Sequence, residues 1–203
     1  MEIALQASEK ALIVIRRGGG VIRTKEATAK GIQPRILNRL LEEGKLELIS
    51  RGFYRLAESE PVSNPDLFTV ATRVPKAVIC LISALSFHDL TTQIPHRVDI
   101  ALERTAGNPR LEYPPLAIHR FSGKALHEGI ERHKLDGVEI RVYSPEKTLA
   151  DCFKFRNQIG LDVALEALKF YRKGKKLNMK AIAHYAKICR VEKIMKPYLE
   201  ALV

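Results

Sequence analysis

Cysteine is scarce in this chain, and its arrangement argues against the usual cysteine-dependent designs. Cys80, Cys152 and Cys189 are the three cysteines among the 203 residues. Their number is odd, no two of them form a Cys-x-x-Cys pair, and no histidine lies at zinc-finger spacing from two of them. We therefore expect three small buried apolar residues rather than a disulfide framework, and we expect no metal and no other cofactor.

Long hydrophobic runs are missing as well. The longest apolar stretch, Val78 to Leu85, is too short to span a bilayer. Residues 1–6 lack a basic region followed by an apolar run, so we expect no signal peptide. Together with the cysteine content, these features predict a cytoplasmic protein without a membrane partner.

Motifs of catalysis are equally scarce. The six histidines have no metal-ligand spacing, and Gly18–Gly20 is not followed by the Gly-Lys-Ser/Thr of a phosphate loop. Asp99 with Glu139 and Arg141 is a faint version of a nuclease pattern, but arginine stands where such sites need lysine. Because Asp99 alternates with apolar residues in a predicted strand, we interpret it as an outward-facing acid. We expect no catalytic residue, and hence no enzyme.

Positive charge, in contrast, is in excess and unevenly distributed. The net charge is +11. Residues 1–57 carry eleven bases against six acids, residues 58–150 eleven against twelve, and residues 151–203 twelve against five. Such an excess attracts phosphate backbones, but it also attracts acidic proteins and anionic membranes, so charge alone does not select DNA.

Residues 24–56 have the order of elements of a winged helix-turn-helix. We expect Ser8 to cap a first helix that ends near Arg17, and Thr24 to cap a second helix that ends at Gly31. Pro34 opens a third, amphipathic helix, and a hairpin with Arg51-Gly52 at its tip follows. The usual task of this scaffold is to place the third helix in the major groove of DNA.

The polar face of the third helix supplies the candidate DNA contacts. Arginines can donate in pairs to guanine edges, asparagine and glutamine recognise adenine, and basic residues near a hairpin tip meet phosphate or the minor groove. The candidates are Lys25, Gln33, Arg35, Asn38, Arg39, Arg51 and Arg55. The alternative is a protein-interaction module in which this basic face is only solvated surface.

The rest of the chain predicts an α/β (α+β) second part. Residues 57–65 are polar and contain two prolines, so we expect domains 1–60 and 61–203. Strands are expected at Arg97–Glu103, Leu116–Arg120 and Val138–Tyr143, and helices at Asp66–Arg73, Lys76–Phe87 and from Pro145 onward. The basic, aromatic run Lys169–Lys176 either extends the DNA footprint or is a solvated helix end.

Several stretches resemble AbiEi-type antitoxins of type IV toxin–antitoxin systems, a family of abortive-infection (phage-defence) proteins. The stretch Gly31–Tyr54 resembles their N-terminal winged helix, and the agreement continues at Ser83–Pro95, Val98–Leu102 and Val142–Asp151. The resemblance implies an autorepressor that binds inverted repeats in double-stranded operator DNA. It also implies that the α/β domain neutralises a nucleotidyltransferase-like toxin encoded by the neighbouring gene, with or without direct contact.

Two other functions remain open at this point. One is a stand-alone winged-helix transcriptional regulator whose α/β domain senses a small molecule, and the other is a DNA-targeted nuclease. The oligomeric state is open too, since no heptad run marks a dimer interface. Five polar residues of the second part are either functional or buried and satisfied: His88, Asp89, Gln93, Lys147 and Asp151.

Overall fold

The computed structural model describes residues 2–59, 62–174 and 178–201, and its contacts divide the chain into two compact units. The first unit is Met1–Phe68 with Lys134–Val138, and the second is Thr69–His133 with Glu139–Val203. The predicted domain boundary falls on residues 60 and 61, which lie outside the described residues, and the division into 1–60 and 61–203 stays a prediction. None of the helices in the described ranges is long and apolar enough to cross a membrane.

The first unit has the predicted winged-helix order. Its elements are α1 (Glu2–Arg17), β1 (Val21–Arg23), α2 (Thr24–Ala29), α3 (Pro34–Glu42), β2 (Leu46–Ser50) and β3 (Phe53–Leu56). The three strands form an antiparallel sheet in the order β1-β3-β2. Gly31 and Gly52 both have a φ of +79°, the left-handed conformation that the two turns require.

A small apolar core holds this unit together. Leu37 and Leu40 of α3 are fully buried, as is Ile15 of α1. They pack in one cluster with Leu46 and Tyr54 of the hairpin. The helix is amphipathic as the sequence predicts, so its apolar side is fixed against the hairpin and α1 while its polar side faces outward.

Two predicted helix caps are wrong. Ser8 lies inside α1, because no helix-breaking residue stands between Glu2 and Ser8 and the helix begins before it. The Ser8 side chain is buried. Thr24 is the first residue of α2, and the N-cap position belongs to Arg23. The Thr24 N–H donates to the carbonyl oxygen of Gly52 at 2.9 Å, and its hydroxyl donates to the same oxygen at 3.3 Å. Thr24 thus ties the start of α2 to the hairpin turn.

The remaining elements form a mixed five-stranded sheet with helices, which confirms the α/β class. The strand order is β6-β5-β4-β8-β7, with β5 parallel to β6 and β4 parallel to β8. The elements are α4 (Pro65–Arg73), β4 (Val78–Ile79), α5 (Leu81–Phe87), β5 (Val98–Glu103), β6 (Leu116–Phe121), α6 (Lys124–His127), β7 (Ile130–Leu135), β8 (Val138–Tyr143), α7 (Pro145–Lys154), α8 (Arg156–Ile159), α9 (Leu161–Gly174), α10 (Met179–Cys189) and α11 (Glu192–Glu200).

The structure corrects one predicted helix of the second part. Within Lys76–Phe87, Val78 and Ile79 form the central strand β4, and the helix begins at Leu81. Ile79 pairs with Ile100 on one side and with Val142 on the other, which a helical conformation would not allow. The strand β7 was not predicted.

The expectation for Asp99 is also wrong, because β5 is buried on both of its faces. Asp99 is only 3% exposed, and its Oδ1 lies 2.8 Å from Nε2 of His119. The Asp99 N–H donates to the hydroxyl oxygen of Ser83 at 2.8 Å. Asp99 is therefore a buried, hydrogen-bonded carboxyl group.

Helix α7 carries a charged pair into the core of the second unit. Lys147 and Asp151 are one turn apart and fully buried, and Nζ of Lys147 donates to Oδ2 of Asp151 at 2.5 Å. The Cys189 thiol donates to the other carboxylate oxygen at 3.2 Å, and Nζ of Lys147 lies 4.1 Å from the centre of the Tyr143 ring. Burial raises the pKa of the Asp151 carboxyl, whereas the Lys147 ammonium acts in the opposite direction.

We predict that Lys147→Met lowers the free energy of unfolding by about 3–5 kcal/mol, because it leaves a buried carboxylate without its counter-ion. Urea unfolding followed by circular dichroism measures this change. Lys154→Met is the matched control, since Lys154 lies on the same helix but is exposed.

The double variant Lys147→Met with Asp151→Leu should be more stable than Lys147→Met alone, because it removes both charges. If the two substitutions destabilise additively, the two side chains do not act as a compensated pair.

Candidate nucleic-acid interface

The outward face of α3 presents polar side chains to solvent. Arg35, Asn38 and Glu42 are exposed, and Gln33 is exposed at the N-cap position without a side-chain capping bond. Pro34 occupies the first turn as predicted. Within the described residues, Arg35 forms no ion pair, so its guanidinium retains all of its donors for a ligand.

Arg39 lies on the same helix but is engaged within the protein. Its Nε donates to Oε1 of Glu43 at 2.9 Å, and Nζ of Lys45 lies 2.8 Å from Oε2 of the same carboxylate. Hydrogen bonds from Lys45 and Arg39 lower the pKa of Glu43. Glu43 therefore stays ionised and holds two cations beside the face of α3.

The hairpin carries two arginines, of which one is exposed and the other is paired with a carboxylate. Arg51 is exposed at the turn between β2 and β3. Arg55 on β3 forms an ion pair with Glu47 on β2, and its side chain is only 15% exposed. Leu48 on β2 is 51% exposed, so this strand also leaves an apolar side chain in water.

The start of α2 contributes the remaining candidate. Lys25 is exposed, and in the described part of the chain it forms no ion pair. The neighbouring Arg23 is exposed too, with its guanidinium 4.6 Å from the centre of the Phe53 ring. Because Thr24 bonds to Gly52, Lys25 and Arg51 flank a hydrogen-bonded junction between α2 and the hairpin turn.

The structure thus sorts the seven predicted contacts into two groups. Five are exposed and form no ion pair within the described residues: Lys25, Gln33, Arg35, Asn38 and Arg51. The other two, Arg39 and Arg55, are held by Glu43 and Glu47. Sequence reasoning missed Glu43, although the four-residue spacing of Arg39 and Glu43 on a helix is a recognised signal for such a pair.

Polar residues of the second unit divide in a similar way. Lys147 and Asp151 are buried partners of one another, and Nε2 of the half-buried His88 lies 2.8 Å from the carbonyl oxygen of Tyr143. All three side chains are engaged within the protein. Asp89 and Gln93, in contrast, are exposed.

The three cysteines are buried and free of disulfides, as predicted. Burial raises the pKa of Cys80 and of Cys152, and it raises the pKa of Cys189 to about 12. All three thiols are therefore protonated at neutral pH, which is their less nucleophilic form.

The basic run at the end of α9 is only partly available to a ligand. Lys169, Arg172 and Lys173 are exposed, and Lys175 and Lys176 lie outside the described residues. Tyr171 is buried, and its hydroxyl donates to Oε1 of Glu146 at 2.6 Å. Burial raises the pKa of Tyr171 to about 12. Its ring is packed in the core and does not serve as a stacking platform.

Comparison with known families gives a match in the winged helix. Residues 9–57 match the family model AbiEi_4, described as the transcriptional regulator AbiEi antitoxin. The match begins within α1 and ends directly after β3, so it covers the winged helix. No curated protein sequence matches the chain. The predicted resemblance is confirmed for the winged helix: residues 9–57 are similar to the AbiEi antitoxin transcriptional regulators.

We predict that Glu43→Gln strengthens binding to double-stranded DNA and makes it more salt-dependent. The substitution releases Arg39 and Lys45 for phosphate, and each added phosphate contact steepens the slope of log K against log salt by about 0.9. Fluorescence anisotropy with a labelled duplex between about 50 and 200 mM salt measures both effects.

Glu112→Gln is the control for net charge, since Glu112 is exposed in the second unit. Equal gains from the two substitutions would show that the effect is one of total charge and that Glu43 has no special place in the interface.

Proposed function

We propose that the chain is an operator-binding autorepressor and antitoxin. The proposal is supported by the match of residues 9–57 to a family model of antitoxin transcriptional regulators. The observation that carries the DNA-binding part of the proposal is the division of α3 into a buried face with Leu37 and Leu40 and an exposed face with Arg35 and Asn38. A helix that enters the major groove must be held by its own domain on one face and must present polar side chains on the other. This arrangement meets both requirements.

Each exposed group has a chemical task in the proposed complex. Arg35 donates its pair of N–H groups to N7 and O6 of a guanine, and Asn38 or Gln33 pairs with an adenine edge. Lys25 and Arg51 bind phosphates and fix the register, with Arg51 at the hairpin tip. Arg39 reaches DNA only by exchanging Glu43 for a phosphate or base, and Arg55 chiefly positions the hairpin.

The second activity in the proposal is neutralisation of a nucleotidyltransferase-like toxin by residues 61–203. It rests on the family of the N-terminal segment and on the further resemblance of Ser83–Pro95 and Val142–Asp151 to AbiEi-type antitoxins. Lys147 and Asp151 are buried, so in this proposal they stabilise the neutralising domain and do not touch the toxin. The proposed protein is cytoplasmic and has no catalytic activity of its own.

We predict that Arg35→Ala weakens binding to the promoter DNA of its own operon by about 1–3 kcal/mol, or roughly 5- to 150-fold, because a bidentate base contact is lost. Arg39→Ala should cost less, since Glu43 already engages that side chain. Arg110→Ala, an exposed arginine of the second unit, is the control. Wild-type affinity in Arg35→Ala would contradict the assignment of α3 as the reading helix.

The two activities are expected to separate. Cells that co-express the gene next to this one in its operon should grow when they carry either the wild-type chain or Arg35→Ala. Repression of a promoter reporter should be lost only in the variant. If the wild-type chain fails to rescue growth, the antitoxin part of the proposal is wrong even if the promoter is bound.

A further inference from the structure

An apolar groove runs along α1 on the side of the α2–α3 turn. Its volume is about 400 Å³. Val14 of α1, Ile32 of the turn and Ile36 of α3 supply its apolar walls, and Lys10 and Lys30 also line it. All of these residues belong to the first unit. A volume of this size lies in the range of small-molecule sites in proteins, about 300–1,000 Å³.

Three of the residues that line the groove are small. Ala7 and Ala11 are one turn apart on α1, and Gly31 lies opposite them in the turn. Ala7 is only partly buried, so a larger side chain there would fill space that is now open to solvent. Ile13 at the edge of the groove is 45% exposed, so apolar surface that a ligand could cover is left in water.

The charged residues that line the groove are of one sign. Two lysines and no acid line it. Lys10 forms no ion pair within the described ranges, and Nζ of Lys30 lies 2.7 Å from Oε1 of Glu26, which leaves part of its donor capacity unused. A second apolar groove, between α10 and α11, has about 230 Å³ and is lined by Glu192, Lys196 and Glu200. The two grooves therefore differ in the charge that they prefer.

We propose that the α1 groove binds an amphipathic organic anion, of which a medium-chain fatty acid is the simplest example. The apolar body of the ligand covers Val14, Ile32 and Ile36, and its carboxylate is held by Lys10 or Lys30. Such a ligand uses both properties of the groove, since burial of its chain supplies affinity and the lysines select an acid.

Because the groove borders the turn before α3, a bound ligand is expected to change the affinity for DNA. This part of the proposal rests on the proposed function. Ile36 is adjacent to Arg35 on α3, and Gly31 and Ile32 form the turn that leads into the helix. A ligand that binds more tightly when α3 is displaced from its core shifts α3, and the shift lowers the affinity for operator DNA. By linkage, operator DNA then lowers the affinity of the ligand by the same factor.

Fluorescence of 8-anilinonaphthalene-1-sulfonate with the full-length chain tests the site directly. We expect saturable binding of this dye and its displacement by decanoate. Ala7→Phe, which fills the groove, and Lys10→Glu, which reverses its charge at an exposed position, should each weaken decanoate binding at least tenfold. The matched controls are Ala183→Phe in the α10–α11 groove and Lys180→Glu on the exposed surface of α10, and both should bind decanoate as the wild type does.

The result that would overturn the site is decanoate binding that persists in Ala7→Phe and Lys10→Glu, or that is absent from the wild type. Promoter affinity with and without decanoate tests the coupling: it should fall in the wild type and stay constant in Ala7→Phe. An unchanged wild-type affinity would overturn the regulatory role while the site stands. Failure of the chain to bind its promoter at all would contradict the proposed function, and the dye measurement would still decide the site.

Discussion

The burial of one side of α3 is the constraint on which the winged helix depends. Leu37 and Leu40 are fully buried in the same cluster as Ile15, Leu46 and Tyr54. Full burial of a leucine side chain contributes about 1.5–3 kcal/mol, so the two leucines fix the rotation of a short helix that would be unstable alone. With that rotation fixed, Arg35 and Asn38 can only point away from the core. The exposed polar face of α3 is therefore a consequence of the packing.

Ion pairs with carboxylates have two different effects in this protein, one in the core and one on the winged helix. In the core of the second unit, Asp151 holds Lys147 where neither can meet solvent, and the pair serves stability. On the winged helix, Glu43 and Glu47 engage Arg39 and Arg55 near or at the surface. In the proposed complex with DNA, each carboxylate competes with phosphate for its arginine, so it limits how strongly these two arginines can contribute to DNA binding.

Most of the winged helix could be predicted because its signals are local. Pro34 at a helix start, apolar spacing along α3 and glycines at both turns each specify their own conformation. The second unit was harder, since Val78-Ile79 reads equally well as helix or as buried strand until its partners Ile100 and Val142 are known. Asp99 was misread for the same reason: alternation along a strand does not show that the sheet is covered on both sides. The ion pair of Arg55 with Glu47 depends on the pairing of β2 with β3, whereas the spacing of Arg39 and Glu43 along α3 was a signal that could have been used.

The most direct test of the central claim is to map backbone amide chemical-shift changes of the full-length chain on titration with a duplex from its own promoter. We predict that the changes cluster at the start of α2, along the exposed face of α3 and at the β2–β3 turn around Arg51. Changes confined to the basic surface of α9–α11, with none on α3, would contradict the account and assign DNA binding to the other end of the chain.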